Sequence, residues 1–143
     1  MYSALIVAAG GGTRMHLSYN KIFCLIRGKA MLLYSVDAFR ADPDFDEIVI
    51  VHAQNEASEI KTILEGRDVK LVCGGSSRQE SVRNGLEAIN NPIVFIHDAG
   101  RVGFRERCDR LVSVREMRHD FVRVQRTVPP DAKFTAVTEL ILF

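Results

Sequence analysis

Four short apolar runs separated by stretches of helical spacing constrain the fold of this chain more than any other feature. Leu5-Ile6-Val7-Ala8-Ala9, Ile48-Val49-Ile50-Val51-His52, Val69-Lys70-Leu71-Val72-Cys73 and Ile93-Val94-Phe95-Ile96-His97 are apolar almost throughout. Strands covered on both faces, as in parallel sheets, read this way, whereas half-solvated strands alternate. Between the runs, residues 31–39 place Leu32, Leu33, Val36 and Phe39 at helical spacing, and Asp42-Pro43-Asp44 stops that helix. Residues 56–64 align Ile60, Ile63 and Leu64 on one face, and residues 78–89 form a third helix. The segment from Lys21 to Gly28-Lys29 is mixed. Repeated strand–helix–strand units predict an α/β fold with a mainly parallel sheet. Ligands of such sheets sit beyond the carboxyl ends of the strands. Three of the four runs end in Gly10-Gly11-Gly12, in Gly74-Gly75 and in Asp98, so these loops are predicted to converge.

After Asp98 the rhythm fails. Ten basic side chains face twelve acidic ones up to residue 100, but nine face six beyond it, with arginine at eight positions from Arg101 to Arg126. A helix over about 106–118 and a short terminal strand or frayed end over 136–143 are expected there, with Pro129-Pro130 between them. The expected organisation is a nucleotide-binding unit over residues 1–101 and a divergent Arg-rich tail over 102–143. Acidic residues are mixed through that tail and aromatics are few, so no nucleic-acid partner is expected. No apolar run is long enough to span a membrane, and the start lacks the basic n-region of a secretory signal. The three cysteines, Cys24, Cys73 and Cys108, have no metal-ligand spacing. Reduced thiols and a cytoplasmic location follow as the expectation.

Three motifs carry chemistry. In Gly10-Gly11-Gly12-Thr13-Arg14, glycines let backbone N–H groups approach a polyanion, while Arg14 and Lys21 add fixed positive charge. Cations held there would stabilise charge gathering on a phosphoryl group in its transition state. The alternative is a glycine turn with solvated basic residues. Met15 stands where the dinucleotide fingerprint needs a third glycine, and no GxxxxGK[ST] occurs. In Gly74-Gly75-Ser76-Ser77-Arg78-Gln79-Glu80-Ser81, the glycines can present backbone to a base edge. Ser77 and Glu80 have the spacing of a capping box, and Ser81, one turn inside the helix, can reach a nucleotide. In His97-Asp98-Ala99, an aspartate at a strand's carboxyl end can hold Mg²⁺ against phosphate oxygens, or else cap a helix. His97 is expected to be structural.

Taken together these residues resemble the 2-C-methyl-D-erythritol 4-phosphate cytidylyltransferase family. The matching stretches are Ala8-Ala9-Gly10-x-Gly12-x-Arg14-Met15, Lys21, Gly74-Gly75-x-x-Arg78-x-x-Ser81-Val82 and His97-Asp98-Ala99-x-Arg101. The resemblance implies a Rossmann-like nucleotidyltransferase fold using CTP and Mg²⁺. It implies that Ala8, Ala9, Gly10 and Gly12 contact the nucleotide and that Gly75, Ser76 and Ser81 recognise cytosine and ribose. Arg14 and Lys21 would be catalytic, at the α-phosphorus, and Asp98 would be the metal ligand. The implied reaction transfers CMP to methylerythritol phosphate and releases pyrophosphate, in the non-mevalonate route to isoprenoids. The related ribitol-5-phosphate cytidylyltransferases and a non-catalytic CTP-binding fragment are the alternatives.

The likeness has a boundary. The family's usual His-Asp-Ala-Ala-Arg-Pro is here His97-Asp98-Ala99-Gly100-Arg101-Val102. Family members are about half again as long, and their dimerisation arm and acceptor-binding residues have no counterpart in residues 102–143. A sheet incomplete at the C-terminus, an absent homodimer arm and little or no turnover are therefore expected. A frameshift or truncation near Gly100 would produce this pattern.

Overall fold

A computed structural model describes residues 1–10 and 20–100, together with the backbone of 136–140. Arg14, Gly12, Arg101, the expected helix over about 106–118 and Pro129-Pro130 lie outside the described residues. The chain opens with β1 (Tyr2–Val7), then a 3-10 turn (Lys21–Phe23), β2 (Leu25–Ile26) and β3 (Lys29–Ala30). There follow α1 (Met31–Arg40), β4 (Phe45–His52), α2 (Ala57–Ile63), β5 (Lys70–Cys73), α3 (Arg78–Glu87), β6 (Ile93–Asp98) and β7 (Ala136–Leu140).

The main sheet has five strands in the order β5-β4-β1-β6-β7, and every pairing in it is parallel. Leu5 pairs with Val49 on one side and with Ile96 on the other, which makes β1 the central strand. The chain winds outward from β1 through β4 to β5 and then returns across the sheet to β6. The direction of winding thus reverses beside β1, and such a switch point opens a crevice at the carboxyl ends of the strands.

Alternate residues of β1 serve two cores, and this is why the run is apolar throughout. Ala4 and Ile6 join Leu32, Val36 and Phe39 of α1 and Ile60 of α2 on one face. Leu5 and Val7 join Val49, Val51, Val94 and Ile96 on the other, where Val82 and Leu86 of α3 pack. Gly85 lets α3 lie directly on the sheet. A Cβ there would overlap Leu5 Cδ1 and stand 2.7 Å from Val51 Cγ2. Gly85→Ala should therefore lower stability by about 1–2 kcal/mol, overpacking outweighing the gain in helix propensity. A urea titration showing unchanged or raised stability would contradict this close packing.

Several boundaries differ from the sequence expectation. β1 begins at Tyr2 and ends at Val7, so Ala8 and Ala9 belong to the exit loop. β4 begins earlier, at Phe45, because that ring packs against Tyr2, Phe39 and Phe95 with centroids 5.7, 5.0 and 5.1 Å away. The mixed segment holds a two-residue hairpin, β2–β3, turned by Arg27 (φ 51°) and Gly28 (φ 77°). Both central residues have positive φ, as the tightest hairpin turn requires. The terminal strand is present as β7, with Val94 opposite Val137.

Candidate functional site

Three strand ends are held level by backbone bonds that continue the sheet. The Ala8 N–H donates to Val51 O at 2.8 Å, Ala99 N–H to Val7 O at 3.0 Å, and Gly74 N–H to His52 O at 2.7 Å. Above them lies a crevice of about 280 Å³. Its walls are Val7, Ala9 and Gly10 from the β1 exit, Gly75 to Arg78 and Ser81 from the β5–α3 loop and first helical turn, and Asp98 from β6. The predicted convergence of the three loops is what the structure shows.

The β5–α3 loop is built from local bonds. Ser77 caps α3, its Oγ accepting the Glu80 N–H at 3.1 Å. The other half of the expected capping box is displaced by one residue. The Glu80 carboxylate accepts from the Ser76 N–H at 2.8 Å and the Ser76 hydroxyl at 2.6 Å. Those bonds, the hydroxyl's first, hold the Glu80 carboxyl below its ordinary range. Ser81 is buried, and its Oγ accepts the Gly75 N–H at 3.1 Å. Ser76 and Ser81, both expected to meet the nucleotide, thus line the crevice while also bracing the loop. Gly74 has no room for a side chain, since a Cβ would stand 2.7 Å from Ala9 Cβ and 2.8 Å from Ser81 Oγ.

Asp98 and Lys21 meet across Gly100. Asp98 Oδ1 accepts the Gly100 N–H at 3.0 Å, closing a turn at the strand end. A Cβ built on Gly100 would overlap Lys21 Cε and lie 2.7 Å from Lys21 Nζ and 3.4 Å from Asp98 Oδ1. The lysine side chain therefore lies over this glycine, beside the aspartate. Gly100, with no side chain, leaves the lysine room in this position. Among the described residues no group of three His, Cys, Asp or Glu side chains could hold a metal. A lone strand-end carboxylate suits Mg²⁺, which takes one or two carboxylates and fills its remaining positions with phosphate and water.

His97, one residue before Asp98, turns to the opposite face. Its Nε2 shares a 2.8 Å hydrogen bond with Ser35 Oγ of α1, and its ring meets Phe39 edge-on at 5.8 Å. Burial pushes its pKa down to about 4, and the neighbouring Asp98 charge only partly opposes this. The imidazole is a neutral tie between α1 and β6, as expected from the sequence.

Asn20 has no motif to mark it. Its place immediately before Lys21 and its capping residue type are the only local signals, yet it is buried and bonds three elements. Among the described residues, no helix is long and apolar enough to cross a membrane.

A central β1, a reversal of winding beside it and a glycine-lined crevice at the strand ends define a Rossmann-like α/β protein. The sequence profile of 2-C-methyl-D-erythritol 4-phosphate cytidylyltransferase matches residues 2–125, running past Arg101. The chain belongs to this family. The Clostridium acetobutylicum enzyme of that name is 47% identical over 107 residues, covering 71% of this chain and 47% of the relative. The Clostridium tetani enzyme is 42% identical over 103 residues, covering 68% and 42%. The structure of 4-diphosphocytidyl-2C-methyl-D-erythritol synthase from Anaerococcus prevotii superimposes with a TM-score of 0.59 at 32% identity, covering 69% of this chain and 43% of that one. The chain thus spans about half the length of the curated relatives it matches.

Proposed function

We propose that the crevice binds CTP with Mg²⁺ and that the chain carries the nucleotide half of a transferase passing CMP to 2-C-methyl-D-erythritol 4-phosphate. The observation that carries this is the convergence of Ala9-Gly10, Gly75–Ser81 and Asp98 on one crevice, with Lys21 beside Asp98. In this reading Ala8, Ala9 and Gly10, with Gly12, offer backbone to the triphosphate. Gly75, Ser76 and Ser81 face the base and ribose. Ser76 must then exchange its bonds with Glu80 for bonds to the ligand.

Asp98 would hold the Mg²⁺, which would supply positive charge to the phosphate oxygens. Lys21 and Arg14 would place fixed cations at the α-phosphorus, where charge builds as the bond to pyrophosphate breaks. The attacking phosphate oxygen of the acceptor is already anionic, so no general base is required. The nucleotide unit in this reading is residues 1–101, and the tail over 102–143 returns one strand, β7, to the sheet. The location proposed for the chain is the cytoplasm, in keeping with free thiols at Cys24 and Cys73.

Calorimetric titration with CTP and Mg²⁺, set against ATP and UTP, tests the binding. A pyrophosphate-release assay with methylerythritol phosphate, ribitol 5-phosphate and no acceptor tests the transfer. CTP-selective binding is expected, and release above the no-acceptor control with methylerythritol phosphate alone would establish the acceptor. Binding without release would leave a CTP-binding fragment. Absence of both signals would overturn the proposal.

A further inference from the structure

We infer that Asn20 is a positioning residue that clasps the exit of β1 to the turn beginning with Lys21 and so sets Lys21 and the Ala8–Gly10 backbone together. Asn20 lies beside the exit of β1, with its side chain buried against Ala8. Its Nδ2 donates to Ala8 O at 2.9 Å and to Glu56 Oε2, just before α2, at 3.1 Å. Its Oδ1 accepts the Ile22 N–H at 3.3 Å, and its carbonyl accepts the Phe23 N–H at 3.2 Å, so it also caps the turn that begins with Lys21. One amide thus ties the β1 exit, the lysine turn and the approach to α2.

Two distinct jobs are joined in this side chain, and chemistry can separate them. Capping needs only an acceptor, which aspartate and serine supply as well as asparagine. The clasp needs a donor facing two acceptors, which aspartate lacks and which a serine hydroxyl is too short to provide at both places. Asn20→Asp would also set a carboxylate against the Glu56 carboxylate and the Ala8 carbonyl. Glu56→Gln would restore a donor in that gap, and by itself would still accept from Asn20.

The consequence for CTP rests on the function proposed above, so the test has two independent arms. In the full chain, CTP affinity with Mg²⁺ should fall about tenfold or more in N20S and in N20D, because a buried carbonyl loses its donor. N20D/E56Q should recover part of the loss, since the contact with residue 56 regains a donor while the Ala8 carbonyl does not, and E56Q alone should resemble the parent. Amide exchange at Phe23 and Cys24, whose N–H groups bond within the turn, should quicken about tenfold in N20S and N20D and slow again in the double variant. A purely capping asparagine would leave both variants within twofold of the parent in both arms, and that result overturns the inference. Should the parent bind no CTP, the proposed function fails while exchange still decides the clasp. Unchanged protection in N20S would then sink it. N20S, which adds no charge, remains decisive if N20D fails to fold.

Discussion

Gly74→Val is expected to weaken CTP binding by about 100-fold, the strongest effect foreseen for a single substitution in the crevice. Three walls surround this glycine: Ala9 on the β1 exit, Ser81 on α3 and His52 at the end of β4. A first side-chain carbon would already lie 2.7 Å from Ala9 Cβ, 2.8 Å from Ser81 Oγ and 3.2 Å from His52 O. None of these is the far end of a flexible chain, and Ser81 is further held by its bond to Gly75. Overpacking of this kind costs about 1–3 kcal/mol, and valine adds two further carbons. The strain is relieved by moving Ala9 or Ser81, both of which line the crevice, and about 1.4 kcal/mol is a decade of affinity. Gly10→Ala offers the contrast, since among the described residues no atom lies within 4 Å of a Cβ built there, and folding stability should be unchanged. Calorimetry giving G74V an affinity within threefold of the parent would mean that CTP does not sit between these walls.

Stability should fall by about 3 kcal/mol as pH drops from roughly 6.5 to roughly 4, because His97 must remain uncharged to stay in place. Burial lowers its pKa in the folded chain from 6.5 to about 4. Between those values the unfolded chain takes a proton that the folded chain refuses, so acid favours unfolding. Above the window both forms are neutral, and below it both are charged and the penalty is complete. Two carboxylates act in a different range. Asp37, held low by its hydrogen bonds from Arg67 and then Lys29, stabilises the fold until acid protonates it below its ordinary 3.8. At Glu47 burial pulls upward, but bonds from Ser3 and Asn90 prevail, so its contribution fades only below its ordinary 4.5. His97→Gln should therefore flatten the dependence between pH 6.5 and 4.5 in urea titrations. Equal slopes for parent and variant would remove His97 as the cause.

The frame of the molecule could be read from residues that obey one rule at a time. Leu5 to Val7 and Ile48 to Val51 are apolar on both faces because β1 and β4 are covered on both, and the helices follow from the spacing of Leu32, Val36 and Phe39. Loop convergence followed from where the glycines and Asp98 stand relative to the strand ends. What could not be read depended on distant partners. Phe45 joins β4 because an aromatic cluster from three other elements receives it. Arg27-Gly28 is a hairpin turn without asparagine or aspartate to announce it. Glu80 passes over its own cap for Ser76 because both Ser76 donors face it. Asn20 matters through Ala8 and Glu56, twelve and thirty-six residues away, a relation that no local pattern encodes.

The strand order also dictates when the crevice can exist. β1, β4 and β5 pair with neighbours a helix away in the chain, but β6 must travel back past two strands to reach β1. Contacts between segments so far apart in sequence are slow to form. Until β6 docks, Asp98 has no place opposite Gly10, and the crevice lacks one of its walls. A ligand that recognises the finished enclosure would act as a latch on β6, drawing the population toward chains in which the circuit is closed.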